Sequence, residues 1–299
     1  MRYPCGATRV STAGQVPGRD DSNDSNLRGQ AEHGPLGRGR GAVRENDPVP
    51  DILPFAPEPP QGRVFEGSRR VRATDATASG RLRLDGLARF LQDVAGDDVT
   101  DTGWQPPYGW LIRRCAVTFR EYPHVSDQVA LRTFCSGTGP RWAQRTTTVI
   151  SGGSAVIQAV ALWVAVDHAT GQPCPLGDDF SRFYGEATQG HRASARLELP
   201  GPDRAVPARD WPTRATDFDT AGHVNNTVYW AALEDVIQET QVIPRRALLE
   251  YHRPILPADR PALQAAVVPP SPDGPGHTDA WLTDAGGEIR YASARLSAA

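Results

Sequence analysis

The sequence predicts an α+β protein in which one unit, a strand, a helix and several antiparallel strands, is built twice. Three observations carry this expectation. Arg72 to Val94, "RATDATASGRLRLDGLARFLQDV", aligns without gaps with Arg214 to Val236, "RATDFDTAGHVNNTVYWAALEDV". Each copy runs into a helical periodicity, and each helix is followed by a similar series of strand signals.

The identities are Arg72/Arg214, Ala73/Ala215, Thr74/Thr216, Asp75/Asp217, Gly80/Gly222, Leu91/Leu233, Asp93/Asp235 and Val94/Val236. In an arginine- and alanine-rich chain that count alone does not prove a repeat, but the shared placement before a helix of the same apolar phase strengthens it. Leu84, Leu87, Ala88, Leu91, Val94 and Ala95 recur at helical spacing, as do Tyr229, Leu233, Val236 and Ile237. Strand signals follow in "CAVTFREY", "QVALRTFCS", "RWAQRTTTVI" and "AVIQAVALWVAVD", then in "ALLEYHRP", "PALQAAVV", "HTDAWLTD" and "EIRYASARL". Asp127, Ala130 and Leu131 fall against Asp259, Ala262 and Leu263 when the two strand series are laid side by side.

Composition sets the flanks and excludes several chemistries. Residues 1–60 are dominated by Gly, Pro, Ser, Asp, Asn and Arg, too poor in aliphatic clusters to offset the entropy of ordering them, so disorder is expected there. The organisation that follows is a first domain over 61–171, a linker crossing a surface over 172–205, and a second domain over 206–299. All 32 basic residues are arginine, which removes phosphate-loop, Schiff-base and kinase lysines together. A net charge of -3 gives no general pull toward nucleic acid or anionic lipid. Cys5, Cys115, Cys135 and Cys174 lack metal-ligand spacing, so no metal site is expected and a reduced, cytoplasmic compartment is the simpler reading. Ser154 to Val166 is too short an apolar run for a membrane span, and no secretion signal is expected near Met1.

Features common to both copies serve the scaffold; features of one copy are the better candidates for chemistry. Asp75 and Asp217 are therefore assigned to the strand-to-turn junction, and Gly80 and Gly222 to a turn needing positive φ or close backbone approach. Asp219 stands opposite Thr77, His223 opposite Arg81, and Asn225 and Asn226 opposite Arg83 and Leu84. Only the second copy keeps a carboxylate and an imidazole beside its helix start, which makes Asp219 and His223 the catalytic candidates. Asn225 and Asn226 suit either a helix cap or a role in the site. Gln92, Asp93 and Asp97 lie on or just after the first helix, where a solvated face is the default and facing the site across the pseudo-dimer is the alternative.

"DFDTAGHVNNTVYW" resembles the motif of hot-dog-fold thioesterases, and the span from about Val64 to Leu296 is similar to bacterial acyl-acyl-carrier-protein thioesterases. The resemblance implies a double (tandem) hot-dog fold, each domain a long central helix wrapped by an antiparallel β-sheet. It implies acyl-pocket walls in the first domain and catalysis in the second. On this reading Asp219, His223 and Asn225 are catalytic, and Asn226, Gly222, Val224, Trp110 and Trp142 contact the substrate. The implied reaction is hydrolysis of fatty acyl-acyl carrier protein to free fatty acid in fatty acid biosynthesis. The partner is then an acyl carrier protein bearing a phosphopantetheine-linked chain, with no cofactor and with a homodimer left open. An acyl-CoA thioesterase and a non-catalytic acyl-thioester-binding protein are the alternatives.

Two departures from the family pattern bear on mechanism. Plant members have Asn two residues before the histidine, where this chain has Ala221; and "LEYHRPI" puts Pro254 and Ile255 where they have Glu and Cys. No Cys–His nucleophile can be proposed. A thioester expels a thiolate whose conjugate acid titrates near ~8.5, so departure needs little general acid, and the demanding parts are delivering water and holding the oxyanion. A helix start near Asn225 is suited to the second task. Asp219 serves as base or as direct nucleophile, His223 as its orienter or as a polarising group, and the water route is favoured. Glu250 is either a substitute for the missing Glu or a plain strand-end carboxylate. Aromatic residues such as Trp104, Tyr108, Trp110, Trp142 and Trp163 line an acyl pocket or pack the core. The arginine clusters Arg69/Arg70/Arg72, Arg113/Arg114 and Arg245/Arg246 either dock an acidic carrier or form a hydrated surface.

Overall fold

The structure, a computed structural model, describes residues 55–203, 205–272 and 274–298. The disorder expected for residues 1–60 falls almost wholly outside the described residues. The first half comprises β1 (Val64–Arg70), α1 (Leu84–Asp101), β2 (Gly109–Phe119), β3 (Gln128–Thr138), β4 (Trp142–Ser151) and β5 (Ser154–Val166). After α2 (Gly177–Tyr184), the second half comprises β6 (Ala208–Asp210), α3 (Val228–Thr240), β7 (Arg246–Tyr251), β8 (Pro261–Val268), β9 (His277–Asp284) and β10 (Arg290–Ser297).

All ten strands form one antiparallel sheet in the order β1-β3-β4-β5-β2-β7-β10-β9-β8-β6. Read inward from either edge, the two halves have the same connectivity, and they meet where β2 pairs β7, Cys115 opposite Leu249. The register carries the repeat into three dimensions. Ser68 pairs Ala130 and Asp210 pairs Ala262, and the separation of Ser68 from Asp210 is the one that relates Arg72 to Arg214. The duplication, suspected from a few identities, therefore extends to strand pairing.

The same holds at the turns. In both copies "ATD" forms a short 3-10 turn, Ala73–Asp75 and Ala215–Asp217. The buried carboxylates of Asp75 and Asp217 accept the N–H of Arg72 and Arg214 at 3.0 and 2.8 Å, satisfying donors that the turn would otherwise strand. Arg83 N–H bonds Asp75 O, and Asn225 N–H bonds Asp217 O. Gly80 and Gly222 take φ of +88° and +81°, a region an L side chain resists, so glycine is favoured at both turns.

One apolar stripe of each helix faces the core. Helix α1 buries Leu84, Leu87, Ala88, Phe90 and Val94, and α3 buries Tyr229, Trp230, Leu233, Val236 and Ile237. The helices pack against each other and share one core with strands of both halves, each fully buried side chain contributing about 1.5–3 kcal/mol.

Residues 172–205, expected as a linker, contribute more than a connection. Helix α2 buries Phe180 and Tyr184 among Trp104, Tyr108 and Trp110, and the Tyr108 hydroxyl donates to Leu176 O at 2.9 Å. Downstream, the chain straps across the seam between the halves. Arg114 donates to the carbonyls of Ser194 and Arg196, both at 2.9 Å, and Trp281 Nε1 donates to Pro200 O at 2.9 Å. The fully buried Glu250 carboxylate accepts the N–H groups of Glu198 (2.7 Å) and Leu199 (3.1 Å). Glu250 thus fastens the strap, the plainer of its two readings. Glycine- and proline-rich composition concealed the strap because its order comes from side chains elsewhere in the chain.

Candidate active site

The loop before α3 holds Asp219 and His223 together. His223 Nδ1 lies 3.6 Å from Asp219 Oδ1, and the loop is closed by Asp219 N–H to His223 O and Gly222 N–H to Asp219 O, both 3.0 Å. Asp219 Oδ1 also accepts the N–H of Ala221 at 2.9 Å. Their side chains are 29% and 33% exposed, enough for water to reach them. Val224 turns the chain inward: its N–H bonds Ile255 O at 3.0 Å and its side chain joins the core.

The two asparagines part company. Asn225 Oδ1 accepts from the backbone N–H and the hydroxyl of Thr227 at 3.0 and 2.8 Å, an Asx turn that leads the chain into α3, whose N-cap is Thr227. Asn226 lines a cavity instead. Its carbonyl accepts the Tyr251 hydroxyl at 3.1 Å, and that hydroxyl in turn accepts Trp230 Nε1 at 2.9 Å, which fixes the peptide plane at the helix entrance. Burial pushes the Tyr251 hydroxyl well above its ordinary value, so it stays a neutral donor.

Two cavities have walls in the first half, and the narrower of them is also lined by Asn226. A narrow one of about 20 Å³ lies among Gln92, Arg145, Thr147, Trp163, Asn226 and Trp230. It shares Gln92, Arg145 and Trp163 with a cavity of about 280 Å³ whose further walls include Ala95, Trp110, Ala143 and Phe180. The larger cavity is mostly apolar and lies between α1, the first-half sheet and α2. At roughly 30 Å³ per water-sized group, it has room for about nine such groups. Arg145 reaches its wall without being an unpaired charge: Nη1 stands 2.7 Å from the buried Asp98 Oδ2, and Arg63 Nε bonds Asp98 Oδ1 at 2.6 Å. Cys115 lines the narrow cavity and Cys135 the larger. Burial pushes their thiols up to about 12 and about 11, which keeps both protonated and poor nucleophiles.

The structure thus brings Asp219, Gly222 and His223 into one loop, with Asn226 at a cavity wall and Trp110 deeper in. Asp219 and His223 line neither of these two cavities. Trp142 is elsewhere, donating from Nε1 to Ala193 O at 2.8 Å, and Trp104 and Tyr108 pack behind α2. Trp163 lines both cavities. Most of the paired arginines have internal work: Arg69 pairs Asp97 (2.5 Å) and Asp93 (3.6 Å), Arg113 donates to Tyr251 O, and Arg245 donates to Arg120 O. Gln92, for which a solvated face was the default expectation and facing the site the alternative, lines both cavities, whereas Arg145 and Tyr184 are cavity residues that periodicity alone could not pick out. For Gln92 a signal existed, since the gapless alignment sets it against Glu234, a change from amide to carboxylate on the two facing helices.

Two helices on a continuous ten-stranded antiparallel sheet, related half to half by the same strand order, define a double hot-dog protein of α+β class. The solved structures agree in fold. The 12:0-ACP thioesterase from Umbellularia californica superposes with a TM-score of 0.66 at 18% identity, over 78% of this chain and 93% of that one. An acyl-ACP thioesterase from Bacteroides thetaiotaomicron gives 0.66 at 17% identity, over 78% and 97%. An uncharacterized protein of Mycobacterium tuberculosis strain H37Rv is 29% identical over 206 residues, 68% of this chain and 82% of the relative. Family models for the acyl-ACP thioesterase N-terminal domain match residues 62–184, and for its C-terminal domain residues 202–261. The chain belongs to the acyl-ACP thioesterase family and is a thioester hydrolase of that family. Among the described residues, no helix is long and apolar enough to cross a membrane.

Proposed function

We propose that the protein hydrolyses medium-chain acyl thioesters carried on acyl carrier protein, releasing free fatty acid within fatty acid biosynthesis. The observation that carries this reading is a pair of cavities that share Gln92, Arg145 and Trp163 as walls, the narrow one reaching Asn226, three residues beyond His223, and the larger one apolar. An acyl tail of roughly eight to ten carbons fills that space at about 30 Å³ per carbon group. Its thioester then lies at the start of α3, beside the Asp219–His223 loop.

Asp219 acts as general base. Water oxygen bonds the carbonyl carbon while its proton passes to the Asp219 carboxylate, and the carbonyl electron pair moves onto oxygen. The intermediate collapses, the C–S bond breaks with its electrons on sulfur, and the thiolate takes up a proton. Because a thiolate is a good leaving group, base and oxyanion support supply most of the acceleration. His223, at 3.6 Å, orients the carboxylate or the water. This route needs neither the family Asn, replaced by Ala221, nor a cysteine.

A second reading, an acyl-thioester binder without turnover, is favoured by one observation: neither Asp219 nor His223 lines either of the two cavities described above. The test is hydrolysis of C6 to C16 acyl groups on acyl carrier protein and on coenzyme A by the wild-type and Asp219→Ala proteins. Turnover lost in the variant supports the enzyme. Tight binding without turnover by the wild type supports the binder, and faster turnover of the coenzyme A series would reassign the carrier.

A further inference from the structure

The fold builds the same loop-to-helix junction twice, and each junction is faced by the central helix of the other half. At the first junction the chain has filled the position itself. Leu84 N–H, at the start of α1, donates to Glu234 Oε1 on α3 at 2.6 Å. The other oxygen of that carboxylate pairs Arg81 Nη2 at 2.6 Å, and Arg81 is largely buried. An anionic oxygen therefore rests on the backbone N–H where helix α1 begins.

The alignment that relates Arg72 to Arg214 sets Leu84 against Asn226, Arg81 against His223, and Glu234 against Gln92. Strand register and turn hydrogen bonds carry this equivalence as far as Arg83 and Asn225; beyond it α1 begins at Leu84, whereas α3 begins two aligned positions later, at Val228. At the second junction a neutral amide thus stands where the first has a carboxylate. Gln92 and Asn226 line the same narrow cavity, and Gln92 Oε1 is buried without a hydrogen-bond partner among the described residues. A buried polar atom left so costs on the order of 1–3 kcal/mol, an unusual expense in a wall otherwise able to be apolar.

We propose that Gln92 is a further catalytic residue, whose side-chain amide holds the thioester carbonyl oxygen together with the backbone N–H of Asn226. This inference rests on the hydrolase reading above. Turning the terminal amide brings Nε2 to face the cavity, since its two ends are nearly isosteric. As water adds and the C=O electron pair moves onto oxygen, the two N–H groups stabilise the charge; when the C–S bond breaks, the pair returns. Gln92 donates a hydrogen bond throughout and loses no proton. A carboxylate in its place would bind the Asn226 N–H itself and repel the developing oxyanion, the arrangement Glu234 displays in the first half.

The experiment compares steady-state hydrolysis of a C10 acyl group on acyl carrier protein by the wild type, Gln92→Ala, Gln92→Glu and Glu234→Gln, each checked for folding by circular dichroism. Gln92→Ala lowers kcat by about 10²-fold with KM little changed. Gln92→Glu loses at least as much near neutral pH and regains activity relative to wild type as pH falls toward the carboxylate range near ~4.3. Glu234→Gln leaves kcat within a few-fold. Folded Gln92 variants with wild-type kcat, or a loss confined to KM with no pH signature in Gln92→Glu, would overturn the proposal and leave the hydrolase reading standing. A wild-type protein that turns over no acyl thioester would overturn both.

Discussion

Enlarging Ala95 tests the path of the acyl chain. Ala95 lies on α1 at the wall of the 280 Å³ cavity, and leucine adds three carbons there without lowering helix propensity appreciably. At about 30 Å³ each they take up roughly 90 Å³, about a third of the space. Three methylenes of the longest fitting substrate then lose their place. At ~0.8 kcal/mol per buried methylene this removes about 2.4 kcal/mol of binding, or roughly 50-fold in kcat/KM for a C10 chain, with little change for C6. The assay is kcat/KM across a C6 to C14 series on acyl carrier protein, repeated with Ala143→Leu from the opposite wall. An unchanged chain-length profile in both folded variants would refute the assignment of this cavity to the tail.

Other outcomes follow from the same geometry. Asp219→Ala lowers kcat by about 10²–10⁴-fold with an unchanged melting curve, whereas Thr77→Ala, its counterpart in the first copy, leaves turnover alone; equal activity in both would remove Asp219 from the chemistry. Removing one partner of the Arg81–Glu234 pair, whose side chains are 9% and 13% exposed, by Arg81→Ala costs about 3–5 kcal/mol in denaturant unfolding. Replacing both with apolar residues recovers most of that loss. His252, half-buried and close to Arg290 and Arg113, is held down to about 4, burial being the larger cause. Its unfolded value is near ~6.5, so the unfolded chain binds the extra proton first. Its contribution, roughly 1–2 kcal/mol after allowing for solvent, is full above that value and is lost as pH falls from about 6.5 to 4. His252→Gln flattens the stability profile across that window.

How much of this was legible before the structure varies with the range of the interaction involved. The repeat, the two helices and the strands were readable because each writes its own local period. The paired Asp75 and Asp217 were readable as scaffold because both copies keep them. Asn225 and Asn226, adjacent and identical in type, could not be separated, since only the direction of each side chain decides between turn and cavity. Trp142 carried the same aromatic signal as Trp110 and Trp163, yet its indole faces the 193–200 strap. Contacts between distant segments were the least visible. The Arg81–Glu234 pair joins residues 153 apart, and Phe180 and Tyr184 sit in a segment whose composition reads as coil.

The β2–β7 seam makes the two halves one sheet and one molecule, and this determines what evolution of the sites can do. Were the unit to assemble as two identical chains, any side chain on the central helix would appear at both junctions, and a glutamate that seals one would seal the other. With both units encoded in a single polypeptide, position 234 can drift to an acid while position 92 remains an amide. Covalent fusion thereby frees one junction to become a structural lock and the other to keep its opening.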